Sequence, residues 1–486
     1  MGDNVHAFHG AGLPGLFKKG YTMNVSVFFI ILLIGTFLST RWSGVSIVTG
    51  DSFRTAWNYR SSTKPHYKRF EYSINCSEGN MTKTCPVTLL TTFEPSNLST
   101  GTCPEYFRWI YEDLKPWTET GITRDMVERA KTPAHIRVVV VDGKVYTEKY
   151  KWVFQTRDVF TIWGILQVLR MYPGKLPDFD LMFECGDKPV IKNMTTKGLM
   201  PLLHLHCFIT VEMMKHLISS SRIGHFGDGK PSNIDLLRWF SEDQAISHLV
   251  MQARDPYKAM DHLEKGPERR QQQNQDWLQE MQNGFKSADL STQCTHKYKI
   301  YAEGAAWSVS EKYILACDSV TLLVKPQYYD FFTRSLQPLV HYWPIKLKDM
   351  CKSIKFATEW CNNHTQKAHE IRNAGSSFVQ EELRMKFVYD YMFHLLSAYA
   401  KLFKYKPTVP PGAVEVCPET MVCPVKGLQK KYKIQSMVKS PSDTGPCAMP
   451  PPYDPAELRD MLERKDHVMK QVEMLEEGSL KNLKAK

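Results

Sequence analysis

The chain has 486 residues, 43% of them hydrophobic and 12% aromatic, with 62 basic against 51 acidic side chains and a net charge of +11. That length supports two or three domains with sizeable cores. The positive excess is mild and spread out, with only short clusters such as Lys430, Lys431 and Lys433. These read as solvated surface, so no nucleic-acid partner is expected.

Residues 1–19 end in Lys18 and Lys19 and read as a cytosolic tail. Residues 20–40 carry no charge, contain VSVFFIILLIGTFL and are followed by Arg41. About 20 such residues just span a bilayer. Positive charge on the N-terminal flank orients them as a type II signal-anchor, which makes the membrane a partner. STRWSG, which follows, is a poor cleavage site, so a removed signal peptide ranks below the anchor and a buried core segment below both.

Everything after Arg41 is then expected in the lumen of the Golgi or endoplasmic reticulum. Twelve cysteines agree with that, as do Asn-x-Ser/Thr sites at Asn75, Asn80, Asn97, Asn193 and Asn363. Three of these sites lie beside Cys76, Cys85 and Cys103, so residues 41–102 read as a glycosylated, disulfide-tied stem.

From residue 103 the pattern is α/β. Residues 135–141 and 145–147 flank Asp142-Gly143, a strong two-residue hairpin signal. Helical spacing over 160–171 stops at Tyr172-Pro-Gly, and the apolar strand 180–185 closes on Gly186-Asp187. In open α/β sheets ligands bind at that end of a strand.

A β-type run, 297–302, precedes Gly304, Ala305, Ala306 and Trp307. A helix-type run and a second apolar strand, 320–324, follow. Ser308-Val-Ser-Glu311 has the form of a capping box, which starts the helix at Ser308. Free N–H groups above a small-residue turn suit a phosphate or pyrophosphate. A well-capped helix with nothing bound fits the same residues.

Residues 378–403 show a long helical pattern, and 407–452 are loop-like with Cys417, Cys423 and Cys447. Residues 454–484 form a charged amphipathic helix that packs on the domain or frays, a reading ranked above a partner-binding coil. The chain has no Gly-x-Gly-x-x-Gly, Walker or Gly-x-Ser-x-Gly sequence, which argues against a nucleotide-binding oxidoreductase. For metal there is only the short pair His204 and His206, and no Asp-x-Asp in a credible place.

Two long stretches, CTHKYKIYAEGAAWSVSEKYILACDS and YYDFFTRSLQPLVHYWPI, resemble the Rumi-type protein O-glucosyltransferase family in its plant-like form. IYEDLKPWTETGIT, FQTRDVFTIWGILQ and LPDFDLMFECGDKPVI are similar to it as well. The resemblance implies a GT-B fold of two Rossmann-like domains, an acceptor-side domain over 103–240 and a UDP-sugar domain over 241–410. A Cys/Pro-rich extension and helix, 411–486, would follow. It also implies inverting transfer of glucose or xylose from UDP-glucose or UDP-xylose to a hydroxyl of a protein or polysaccharide, without a metal cofactor. The alternative is an inactive lumenal binding protein with a transferase fold.

Matched residue by residue, Asp187 of FECGD takes the place of the catalytic base and Arg157 of FQTRD that of an arginine at the substrate pocket. Gly304, Ala305, Ala306, Trp307, Ser308, Val309 and Ser310 match the UDP-sugar loop. Animal members carry an arginine where this chain has Ser310, so a phosphate contact there is weaker or comes from elsewhere. Cys294 and Cys317 match a family disulfide that braces the loop.

The resemblance stops after KPVI and resumes near Gln275-Asp276-Trp277, leaving residues 192–270 unpatterned. In this family an aromatic motif like IVFPDWSFWGW is expected there. Codons for ISSSRIGHFGDG, residues 218–229, read from the third base of the first codon, give that motif with permitted synonymous choices. The residues before them, from Thr210, can give CGDDEAFD. The segment therefore reads as translated out of frame.

Overall fold

The computed structural model describes residues 70–74, 76, 85–86, 92–95, 101–153, 157–186, 205–206, 294, 296–303 and 310–484. They all belong to one compact unit, Arg69–Lys486. The tail, the proposed anchor at 20–40, most of the stem and most of 192–270 lie outside the described residues. Among the described residues no helix is long and apolar enough to cross a membrane.

Two helices, α1 (Trp109–Thr118) and α2 (Arg124–Arg129), precede the hairpin β1 (Ile136–Val141) and β2 (Lys144–Lys149). Asp142 and Gly143 have φ of 50° and 73°, the pair of positive values a tight hairpin turn needs. Helix α3 (Arg157–Met171) ends where Tyr172-Pro-Gly was expected to end it and leads to β3 (Phe179–Glu184). Two residues, Leu205–His206, form β4.

The second half runs β5 (Tyr298–Tyr301), α4 (Ser310–Leu315), β6 (Val320–Val324), β7 (Trp343–Ile345), α5 (Met350–Asn363) and α6 (Thr365–Ser377). A π-helical turn, Phe378–Glu382, leads to α7 (Met385–Ala400). Then come β8 (Val414–Val416), α8 (Pro418–Val422), α9 (Gly427–Ser436) and α10 (Pro455–Lys484).

The first sheet has the order β4-β3-β1-β2-β8, and the second β5-β6-β7. The second is parallel throughout, as a Rossmann-like half requires. The first differs from that expectation: of its described pairs only β3–β4 is parallel, and β1–β2, β1–β3 and β2–β8 are antiparallel. A two-residue turn can join only antiparallel strands, which fixes β1–β2.

Alternate residues of the second sheet face different cores. Tyr301 and Leu323 join the larger core with α1, α3 and α7, while Ile300, Val320, Leu322 and Val324 join a smaller one with α5 and α6. Both faces are covered, which explains the continuous apolar run VTLLV.

Three sequence expectations need correction. Residues 407–452 are not loop throughout, because β8 extends the first sheet and α8 and α9 follow. The helix expected over 378–403 is broken: buried Leu383 and extended Arg384 separate the π turn from α7. Lys433 does not sit on a solvated basic face. It is buried, its Nζ donates to the Met421 carbonyl at 2.7 Å, and burial lowers its pKa to about 8.

Disulfides Cys76–Cys423 and Cys85–Cys417 tie two stem cysteines to the C-terminal region, and Cys103–Cys447 ties the first residue after the stem to it. Helix α10 packs rather than frays. Glu457 pairs with Arg108, Leu458 and Met461 cover the larger core, and Val472 is buried in the smaller.

Candidate functional site

The first group of residues gathers at the C-terminal end of β3, at Glu184, Cys185 and Gly186. Arg157, the first residue of α3, is 4% exposed and donates from Nη1 to the Cys185 carbonyl at 3.0 Å. The Cys185 N–H donates to His135 Nδ1 at 3.1 Å, so that nitrogen carries no proton. Burial lowers the His135 pKa, helped by Lys151 and Arg157, and the ring is neutral at pH 7. Glu184 folds back so that its Oε1 accepts from the Gly186 N–H at 2.8 Å. A Cβ on Gly186 would lie 2.5 Å from that oxygen, so the fold-back needs glycine.

Asp187, the residue expected to act as base, lies just outside the described residues. Its chain neighbours are held by Arg157, His135 and Glu184. Sequence reasoning found Arg157 by resemblance and missed His135 and Glu184. An acid two residues before Gly186 was the available signal for Glu184; His135 acts 50 residues away and left none.

The second group flanks the small-residue loop between β5 and α4. Gly304, Ala305, Ala306, Trp307, Ser308 and Val309 lie outside the described residues. Ser310 is the first residue of α4 and is 4% exposed. Cys294 and Cys317 are joined, so the disulfide implied by the resemblance is present. Lys299, buried on β5, points its Nζ at Cys317 Sγ from 3.5 Å, and burial lowers its pKa to about 8.

Of the expected capping box, Glu311 is described and Ser308 lies outside the described residues. Its Oε2 accepts from the Thr333 hydroxyl at 2.8 Å, and its Oε1 has no hydrogen-bond partner among the described residues. The carboxyl thus holds the segment after β6. Helix α4 has six residues, too short for a full macrodipole. Any anion here depends on individual N–H groups and hydroxyls.

For metal, the described residues bring Cys103, His394 and Cys447 together, but the two sulfurs form a disulfide and are not thiolates. Strand β4 places the His206 backbone beside Glu184, and His204 lies outside the described residues.

The sequence model of glycosyl transferase family 90 matches residues 98–208 and 249–476. An O-glucosyltransferase rumi homolog of Anopheles gambiae is 26% identical over 320 residues, covering 60% of this chain and 77% of that protein. Protein O-glucosyltransferase 1 of Homo sapiens is 26% identical over 368 residues, 68% of this chain and 88% of its own length. Protein O-glucosyltransferase 2 of Danio rerio is 34% identical over a shorter 119 residues, 24% of this chain and 23% of its own.

Proposed function

Because this chain belongs to glycosyl transferase family 90, we propose that it is an inverting glycosyltransferase of GT-B architecture, moving glucose or xylose from a UDP-sugar to a hydroxyl. Relatives named as protein O-glucosyltransferases favour a protein acceptor and glucose. The observation that carries the reading is the built end of β3, where Arg157 and His135 hold Cys185 two residues before Asp187.

In this reading Asp187 takes the proton of the acceptor hydroxyl as its oxygen attacks the anomeric carbon. The new carbon–oxygen bond forms as the bond to the β-phosphate breaks, and UDP leaves with the electron pair. Inversion needs one base and no covalent intermediate. Arg157 fixes the strand end that bears the base, and the loop ending at Ser310 receives the nucleotide. No residue in this scheme calls for a metal.

The test is a donor screen measuring UDP release from each UDP-sugar. Asp187→Asn should leave UDP binding intact and cut transfer by roughly 10²- to 10⁴-fold, the usual worth of a general base. Turnover near the wild-type level removes Asp187 from the mechanism.

A second reading, an inactive binding protein of the same fold, is favoured by the break in the family match between residues 208 and 249. UDP binding without turnover of any UDP-sugar selects it.

For compartment, the proposal is a single-pass type II protein of the Golgi or endoplasmic reticulum. Asn363, at the exposed end of α5, is open to glycosylation. The C-terminal part should resist protease in sealed microsomes and shrink on deglycosylation. An accessible, unglycosylated C-terminus rejects this placement.

A further inference from the structure

The ring of His135 stands at the C-terminal end of β3 on a backbone held by three hydrogen bonds. Its N–H donates to the Phe183 carbonyl at 2.7 Å, and its carbonyl accepts from the Tyr150 and Lys151 N–H groups at 2.8 and 3.2 Å. Two backbone donors of the strand end lie beside the ring. The Cys185 N–H donates to His135 Nδ1 at 3.1 Å, and the Gly186 N–H to Glu184 Oε1 at 2.8 Å. Glu184 Oε1 is itself 3.6 Å from that Nδ1. Only a ring with no proton on Nδ1 serves both donors.

A protonated ring reverses the first bond. Imidazolium carries a proton on each nitrogen, so Nδ1–H would meet the Cys185 N–H donor to donor. The acceptor within reach is Glu184 Oε1, and a charge-assisted bond closes the 3.6 Å to about 2.8 Å. That movement takes the carboxylate oxygen from the Gly186 N–H.

Glu184 faces the ring from β3, Arg157 and Asp158 from α3, and Lys151 from the end of β2. Arg157 Nη1 donates to the Cys185 carbonyl at 3.0 Å, Lys149 pairs with Asp158 at 2.6 Å, and Lys151 Nζ donates to the Thr132 carbonyl at 2.6 Å. Cys185 is disulfide-bonded and has no thiol to titrate. Burial, then Lys151 and Arg157, lower the His135 pKa from 6.5 against the pull of Asp158, so the proton enters on the acid side of that value.

We propose that His135 is an acid-sensitive latch on the end of β3: the neutral ring holds the Cys185 N–H, and a proton taken from solvent onto Nδ1 releases that N–H and moves Glu184 Oε1 from Gly186 to the ring. The side chain is 20% exposed, enough for solvent to supply the proton. An arginine keeps its proton throughout this range, so acid frees the N–H of Cys185 and leaves its carbonyl held by Arg157. His135 is thus a positioning residue with a pH-dependent grip, and the latch works whether or not the chain transfers a sugar.

The test is amide hydrogen exchange on the full-length chain, read at single residues from about pH 7.5 to about pH 4.5, the range in which a histidine titrates. His135→Asn offers Oδ1, an acceptor that does not titrate. Glu184→Gln keeps an oxygen for Gly186 and removes the charge. In wild type, exchange at Cys185 and at Gly186, each divided by that at Leu181 in the same strand, should rise roughly 3- to 10-fold as pH falls below 6.5, the worth of one hydrogen bond. In His135→Asn both ratios should stay level. Glu184→Gln should move the rise to lower pH, because the imidazolium loses its anionic partner. A merely structural His135 would lower the melting temperature of His135→Asn and give level ratios in both chains.

Level ratios in wild type overturn the latch, as does a rise of equal size in His135→Asn. A rise at Cys185 without one at Gly186 overturns the transfer of Glu184 to the ring. Should His135→Asn not fold, Glu184→Gln carries the comparison, and a rise at the wild-type pH refutes the link between ring and carboxylate.

Discussion

Glu311 is 2% exposed, and burial is the main reason its pKa rises to about 8. The Thr333 bond and Lys312 oppose that rise, while Asp330 and Glu303 add to it. The folded chain therefore holds a proton at pH 7 that the unfolded chain, with a carboxyl near 4.5, has released. Stability from this group is full below pH 4.5 and is lost as pH rises towards 8. Glu311→Gln cannot ionise and keeps an oxygen for Thr333. Its melting temperature should gain on wild type between pH 5 and 9, by a few degrees at the upper end. Parallel melting curves across that range would show that Glu311 does not carry the pH dependence. Neighbouring positions pair Glu311 with Ser308 in a capping box, and Ser308 lies outside the described residues. The described partner of Glu311, Thr333, is 22 residues away and buried with it, and no local spacing reveals that. Arg157, which the structure places at the end of β3, was singled out for the opposite reason: it sits in a contiguous motif, FQTRD.

Helix α6 packs so closely on the turn before β7 that a Cβ on Gly375 would lie 2.5 Å from the His341 carbonyl oxygen. Alanine gains up to about 1 kcal/mol over glycine from helix propensity alone. Overpacking costs about 1–3 kcal/mol, and a backbone oxygen cannot rotate aside as a side chain does. Gly375→Ala should therefore lower the melting temperature by a few degrees. Gly478→Ala, in α10 with nothing within 4 Å of the added carbon, should hold or raise it. Equal melting temperatures for the two variants would refute the close approach.

Elements of this kind were read well where one period persisted: the hairpin, α3, β3, β5, β6 and α10 all lie where alternation or helical spacing put them. The region 407–452 was not legible. Strand β8 has three residues, α8 has five, and disulfides at Cys417, Cys423 and Cys447 hold them against distant cysteines. Such segments owe their shape to long-range cross-links, which leave no period in the sequence.

At the scale of the whole molecule, well-formed elements lie on either side of residues 192–270, and within that stretch only β4, Leu205–His206, is described. The family model matches up to residue 208 and again from 249, so the unmatched part, 209–248, is narrower than the stretch 192–270 expected to fall outside the family. The reading frame offers a cause. Shifted to the third base, codons for residues 210–229 can spell CGDDEAFD followed by IVFPDWSFWGW without a stop. The freedom to choose synonymous codons weakens each single match. It does not readily produce an unbroken run that ends in the expected aromatic motif. A peptide read from the wrong frame has had no selection for apolar alternation, so the expected aromatic motif at the donor side is missing from it. The proposal is that the native message encodes the shifted frame through this region, and that the chain as written is weakly active or inactive. Transcript sequencing across codons 190–275 should show an insertion, deletion or alternative splice junction near each edge of the break. Expressed side by side, the reframed chain should turn over its UDP-sugar while the present chain binds UDP with little or no transfer. A transcript encoding residues 192–270 as they stand, together with an active protein made from it, would sink the frame argument and return that segment to the enzyme.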